Sequence, residues 1–355
     1  LKGPEAAALY GNEGANGVIL ISTRKGKAGT GKLTYNNRFA ASELYLFPEI
    51  QTVYGRGRNG GVEVNDPDFF GPKYADGTQF YDNVSNFYQR GSNQRHDLAF
   101  EGGSEKITYR MSTSYLDSKG IIQTNRFQQV NAALNTDAQV LKWLKLTSRF
   151  SYARNKNVLP PGGGQGYLTA LMRFPRDKDA RQYENPDGTR ILTLPAATPG
   201  TDNDNPFFNV NNSAREEQTD RTNANISLKA DLTPWLSLTG RFGADIYATN
   251  ANRFFHPFSN IGFPRGGWLE NYTDLGRLLN SNFFANVRKS FGKLSTSIQV
   301  GGSLDDRRYE TTSVYGEKLF LPDFNSINNV EPTTMRNKTI LTRQRLLGAF
   351  AQANF

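Results

Sequence analysis

The sequence predicts an all-β chain: part of a transmembrane antiparallel β-barrel, about ten strands of a larger one. Three observations carry this reading. Segment after segment alternates apolar and polar side chains with a period of two. The connections between these segments alternate between short and long. The composition is poor in aliphatics but rich in rings and turn formers, with 37% hydrophobic residues beside 24 Phe, 16 Tyr and 34 Gly in 355 residues. A barrel strand puts lipid-facing and lumen-facing side chains at alternate positions, so it averages out as polar. A mean hydropathy of -0.60 is therefore compatible with a membrane protein of this kind.

Taken in order, the chain opens with Pro4-Glu5-Ala6-Ala7-Ala8-Leu9-Tyr10-Gly11. Pro at the start, an acid in the first turn, an Ala body and a closing Gly predict a short helix. A turn-rich stretch, Asn12 to Gly17, leads to Val18-Ile19-Leu20-Ile21-Ser22-Thr23, a short apolar run with β-branched residues that reads as a buried strand. Arg24 to Lys32 is basic and Gly-rich and reads as a linker. From there the two-residue period takes over. Leu144, Leu146, Phe150 and Tyr152 alternate with Lys145, Thr147, Arg149 and Ser151. Ala224, Ile226 and Leu228 alternate with Asn223, Asn225 and Ser227, and Leu236, Leu238, Phe242 and Ile246 oppose Ser237, Thr239, Arg241 and Asp245. We place strands at 31–43, 93–103, 106–117, 126–140, 143–155, 219–231, 235–249, 276–290, 293–308 and 339–355.

The joins near Gly103-Ser104-Glu105, Leu141-Lys142, Thr233-Pro234 and Phe291-Gly292 are tight. Those at 44–92, 118–125, 156–218, 250–275 and 309–338 are mostly long and rich in Gly, Pro and Asn. Nothing in a soluble sandwich forces that alternation. An outer-membrane barrel has short periplasmic turns on one rim and long extracellular loops on the other. Ten strands leave bare edges, which a bilayer does not tolerate. Barrels with a plugged lumen have about twenty-two strands, so this chain reads as somewhat under half of one. Leu1 is no initiator Met and Phe355 falls inside a strand, so both ends read as cuts through a longer protein.

There is no cysteine, which removes disulfides, thiolate metal sites and a Cys nucleophile. Net charge is +9, with no basic run of five or more, so the clustered footprint of nucleic-acid binding is missing. No apolar run reaches the length of a transmembrane helix.

The stretch Leu1 to Gly26, and in particular Ala15-Asn16-Gly17-Val18-Ile19 before the short strand, resembles the end of the plug domain in TonB-dependent receptors of the SusC/RagA branch. Phe87-Tyr88-Gln89-Arg90-Gly91-Ser92, Gly102-Gly103-Ser104-Glu105-Lys106, Tyr115 to Ile122, Trp143-Leu144-Lys145-Leu146 and Asp204-Asn205-Pro206-Phe207-Phe208 are similar to that branch's early barrel. The resemblance implies two parts. Residues 1–28 would be the C-terminal part of a plug, and 29–355 the N-terminal part of the barrel around it. It also implies an importer of the bacterial outer membrane for a large nutrient, most often a glycan and sometimes a peptide. Such an importer works with a SusD-like surface lipoprotein and with the TonB–ExbB–ExbD complex, whose contact segment, the TonB box, would precede Leu1.

Candidate ligand-binding rings lie in the long loops: Tyr54, Phe69, Phe70, Tyr74, Phe80 and Tyr81 in the first, and Phe254, Phe255 and Trp268 in a later one. Apolar sugar faces stack on rings; the competing reading is that these rings pack the loops together. Lys2, Glu5, Glu13 and Arg24 are candidates to meet lumen-facing Arg110, Arg149, Arg241 or Asp245 across a hydrated plug–barrel boundary, against ordinary solvated charge. Asp202 and Asp204, in Asp202-Asn203-Asp204-Asn205, are candidate Ca²⁺ ligands, although a polar turn explains them equally. No other cofactor is expected. His96 and His256 are isolated, and no nucleophile–base pair is visible, so no catalytic residue is assigned. The alternatives are a surface adhesin or β-solenoid binding protein, which calls for a short repeat that is not seen, and an outer-membrane enzyme.

Overall fold

The computed structural model describes residues 24–62, 68–163, 166–193, 204–292 and 294–354. The expected first helix and the short strand at 18–23 lie outside these residues, as do Lys2, Glu5, Glu13 and Asp202. The described chain is one ten-stranded antiparallel sheet in which every strand pairs with its sequence neighbours. The strands are β1 (Gly29–Ser42), β2 (Gly91–Gly103), β3 (Ile107–Lys119), β4 (Arg126–Leu141), β5 (Leu144–Leu159), β6 (Ser213–Asp231), β7 (Leu236–Phe255), β8 (Trp268–Phe291), β9 (Leu294–Glu317) and β10 (Arg336–Asn354). Three short helices, α1 (Asn83–Phe87), α2 (Tyr167–Met172) and α3 (Pro206–Asn212), sit in the first and third long loops.

All ten expected strands form, and short and long connections do alternate. The boundaries differ by more than two residues at the long-loop end only. β6 starts six residues earlier than the alternation suggested, β7 ends at Phe255, β8 starts at Trp268 and β9 runs on to Glu317. A membrane strand needs about 9–11 residues, whereas β8 and β9 have 24 each. The excess lies at the long-loop end. There the two faces no longer differ, both polar in β6 and both carrying large apolar groups at Phe254–Phe255 and Trp268–Leu269, so the period of two disappears while the hydrogen-bond ladder continues.

Register sorts the side chains into two faces. One row runs Leu33, Phe100, Met111, Leu134, Phe150, Ala224, Ala244 and Leu279 across β1 to β8. Four residues nearer the short turns, a second row on the same face runs Leu146, Leu228, Gly240 and Phe283. The apolar side chains of this face stand open: Phe150 is 48% exposed, Phe242 46% and Val300 54%. A face of large apolar groups left uncovered is what lipid would cover. Trp143 and Trp235, at the short turns, begin the aromatic girdle expected at a membrane boundary. The opposite face carries Asn131, Asn135, Asp137, Arg149, Asn225, Arg241 and Asn282. Gly292, in the two-residue turn between β8 and β9, takes φ +62°, a value that favours glycine.

Spin labels should read these faces directly. At Leu144, Leu146, Phe150 and Tyr152 they should be reached by a lipid-soluble quencher, and at Lys145, Thr147 and Arg149 by a water-soluble one. Equal accessibility on the two faces would sink the membrane-barrel reading.

Candidate functional site

The inward face is laced by paired charges. Arg110 meets Glu101 at 2.6 Å, and Arg149 meets Asp137 at 2.9 Å with Thr147 Oγ1 donating to the same carboxylate at 2.7 Å. Arg221 binds Asp245 in a fork. Arg110, Arg149 and Asp245, expected to meet a plug, are thus already engaged within the wall. Arg24 reaches the wall through its backbone: Asn135 donates to its carbonyl at 3.0 Å. Arg241 lies 5.0 Å over the Phe284 ring, in a recess of about 690 Å³ that Lys145, Lys229 and Arg288 also line.

Above the membrane belt the long loops are not separate. Phe87, Ile122, Leu171, Phe174, Ala180, Phe207 and Val210 form one apolar core drawn from the first three. Local sequence explains the helices that feed it. Asp82 caps α1 by accepting from Ser85 N–H, and Asn205 caps α3 with Pro206 in its first turn. The remaining two long loops close over a second core of Phe254, Leu269 and Val330. A buried polar joint ties the two assemblies. Arg190 Nε donates to the Phe258 carbonyl at 2.8 Å, and its guanidinium lies 3.6 Å from Asp204, with both side chains almost wholly buried. Asp204 also accepts from Asn260 N–H at 2.9 Å. His256 sits edge-on to Phe208, 5.2 Å between ring centres, and Nε2 faces Asp323 at 3.1 Å. Burial pushes the His256 pKa below its ordinary value, against the opposing pull of Asp323.

The ring candidates separate by environment. Phe69 packs under Arg176, 4.3 Å from the guanidinium, and Arg176 is itself held below its usual range by burial. Tyr74 meets Phe80 edge-on at 5.0 Å, and burial raises its pKa. Tyr81 N–H binds the Arg176 carbonyl at 2.9 Å. Tyr54 and Phe70 stand open, Phe70 at 70% exposure. Phe254 is buried in the second core, so it packs and does not present a ring. Phe255 points to the opposite, inward face and stacks on Trp268 with 4.4 Å between ring centres. Tyr315 lies 5.5 Å from Trp268 and Arg265 5.8 Å from it, two neighbours that sequence reasoning missed. Together they make a half-buried aromatic platform at the long-loop end of the inward face. Asp204 is matched by a buried guanidinium, which makes it a packing group in place of the metal ligand it was a candidate to be. Among the described residues no three His, Asp or Glu side chains gather to hold a metal.

No family model matches the chain. A TonB-dependent receptor of Formosa agariphila, P3, is 24% identical to it over 373 residues, covering all of this chain and 35% of the relative. SusC, a TonB-dependent receptor of Bacteroides thetaiotaomicron, is 26% identical over 325 residues, 85% of this chain and 31% of the relative. The RagAB peptide importer in its closed-closed state superposes with a TM-score of 0.72 over 98% of this chain and 42% of that one, at 17% identity. The chain is SusC/RagA-like. It spans about a third of the length of these curated relatives. The structural alignment covers essentially the whole length of the chain. The open-open state of the RagAB importer aligns with 100% of it at the same TM-score.

Proposed function

We propose that the SusC/RagA-like chain forms the capture rim and part of the lumenal wall of an energised importer in the bacterial outer membrane. Its cargo is a large polar nutrient, a glycan in the first instance. The observation that carries the reading is the Phe255–Trp268–Tyr315 platform with Arg265 beside it, facing inward where the strands rise above the apolar belt. Rings held flat and half-open suit the apolar faces of sugars, and Glu270, Tyr272 and Arg253 on neighbouring inward positions supply hydrogen-bonding groups. A peptide is the second reading, supported by the likeness to an importer described as carrying peptides. The partner is a SusD-like surface lipoprotein. Phe320, Leu321 and Phe324 in the last long loop, 61%, 60% and 53% exposed, are apolar surface for it to cover. Energy would come from the TonB–ExbB–ExbD complex, through the plug that residues 1–28 would help to form.

The test uses the full receptor in cells lacking their own copy, with fluorescent oligosaccharides and fluorescent oligopeptides offered separately. F255A/W268A should lower oligosaccharide uptake at least tenfold with the receptor still at the surface. Removing the third long loop between Pro160 and Asn212 should abolish uptake while the barrel stays heat-stable. Normal uptake by F255A/W268A would make these rings packing groups, and loss of peptide uptake alone would hand the site to the second reading.

A further inference from the structure

Of the two histidines in the chain, His256 is fully buried, and it stands where three long loops meet. Its ring packs edge-on to Phe208 of α3, in the third long loop, and against Phe254 at the end of β7 and Phe258 in the fourth. Asp323, in the fifth, faces the outer ring nitrogen. The backbone of His256 is tied down as well. Its N–H donates to Ser213 Oγ at the start of β6, and its carbonyl accepts from the Ser259 N–H at 3.0 Å and the Ser259 hydroxyl at 2.8 Å. The fourth loop folds back on this residue so closely that a Cβ at Gly262 would lie 2.2 Å from the His256 carbonyl oxygen.

The contacts of the ring fix its protonation state. Phe258 N–H points at Nδ1 from 3.1 Å. A backbone N–H can only donate, so Nδ1 is the acceptor and the ring proton sits on Nε2, which donates to Asp323 at 3.1 Å. An imidazolium carries protons on both nitrogens. Its Nδ1–H would confront the Phe258 N–H, two donors with no acceptor between them. Among the described residues Asp323 is the charge that bears on the ring. Arg190 and Asp204, the other charges of the joint, face one another, and Arg215 and Arg253 at the adjoining strand ends face Glu217 and Glu270. Burial outweighs the attraction of Asp323, so the ring holds a proton less firmly here than in an open chain.

We propose that His256 is a pH-sensitive latch: near neutrality its neutral ring ties the third, fourth and fifth long loops together, and acid releases them by turning the acceptor at Nδ1 into a donor. The sign follows from linkage. With the latched pKa below the ordinary histidine value of about 6.5, the released loop takes up a proton that the latched one refuses. The latch is therefore complete above that value and weakens as the pH falls below it. Phe255 and Trp268 flank the latched loop and Arg265 belongs to it, so acid would slacken the aromatic platform too. That consequence rests on the platform being the capture site, whereas the latch does not.

Hydrogen exchange of the full receptor, read at about pH 7.5 and about pH 5 and corrected for the intrinsic rate at each, tests the latch. Protection across 256–267 should be at least about fivefold lower in acid, with a limit of about tenfold per pH unit for uptake of one proton. Protection in β5 to β7 should not change. His256→Asn keeps an acceptor for the Phe258 N–H but does not titrate, so its protection in the loop should be the same at both pH values, whatever its absolute level. Asp323→Asn keeps an acceptor for Nε2–H and removes the charge that favours the imidazolium, so its acid loss should be at least as large as the parent's. This variant covers the case in which His256→Asn fails to fold. Equal protection of the parent loop at the two pH values would overturn the proposal. So would an acid loss in His256→Asn that matches the parent's, a smaller loss in Asp323→Asn, or a loss shared equally by the strands, which would mark general acid unfolding.

Discussion

Arg190→Met should loosen the joint between the two loop assemblies by about 3–5 kcal/mol, the usual cost of removing one partner of a buried ion pair. Arg190 and Asp204 are 0% and 1% exposed at their side chains, with the Asp204 carboxylate held beside the guanidinium and the Asn260 amide. Taking away the cation leaves a buried carboxylate whose desolvation is no longer offset. The lost donor to the Phe258 carbonyl adds to the damage. The effect should appear as faster amide exchange in residues 256–267 and 204–212 and as protease cleavage there, while β5 to β9 keep their protection. R190M/D204L, which replaces both charges with apolar groups, should recover part of the loss. If R190M exchanges no faster than the parent, the joint is not what holds the two assemblies together.

That joint was not legible in the sequence, and the reason is physical. Alternation reports which face of a strand is buried, and it did so along β3 to β9 because one side meets an apolar medium. Above the belt both sides of β6 are polar, as in Ser213-Ala214-Arg215-Glu216-Glu217-Gln218, and the pattern carries no information although the strand continues, whereas in β7 and β8 both sides carry large apolar groups, Phe254 and Leu269 on one and Phe255 and Trp268 on the other. The consequence for the site is specific. Phe254 and Phe255 looked equivalent as loop rings. Once β7 is known to run through them, the period of two assigns them to opposite faces, Phe254 opposite Leu269 and Phe255 opposite Trp268. The chemistry of the segment was visible, and its geometry was not. Asp204 went the same way. Its neighbourhood is written by Arg190 and Asn260, 14 and 56 residues away, which no local spacing encodes.

Phe87→Ala should unfold the first loop assembly locally, at a cost of about 3–5 kcal/mol. The ring is 1% exposed and is fixed by three others: Tyr88 at 5.1 Å and Phe207 at 5.3 Å, both edge-on, and Tyr167 stacked at 5.7 Å. These come from α1, α2 and α3, elements too short to be stable alone, whose helical state depends on the shared core. Removing the ring opens a cavity where three loops meet. Amide exchange should rise across 83–90, 167–174 and 206–210 together, since these segments share one core, and protease should gain sites there. The sheet should keep its heat resistance, because its stability lies in the strand ladder and the membrane belt. Phe70→Ala is the matched control. That ring is 70% exposed, so its loss should change stability by less than about 0.5 kcal/mol. A Phe87→Ala variant with exchange rates like those of Phe70→Ala would mean that the loop assembly is held by its polar contacts, with the rings only filling space between them.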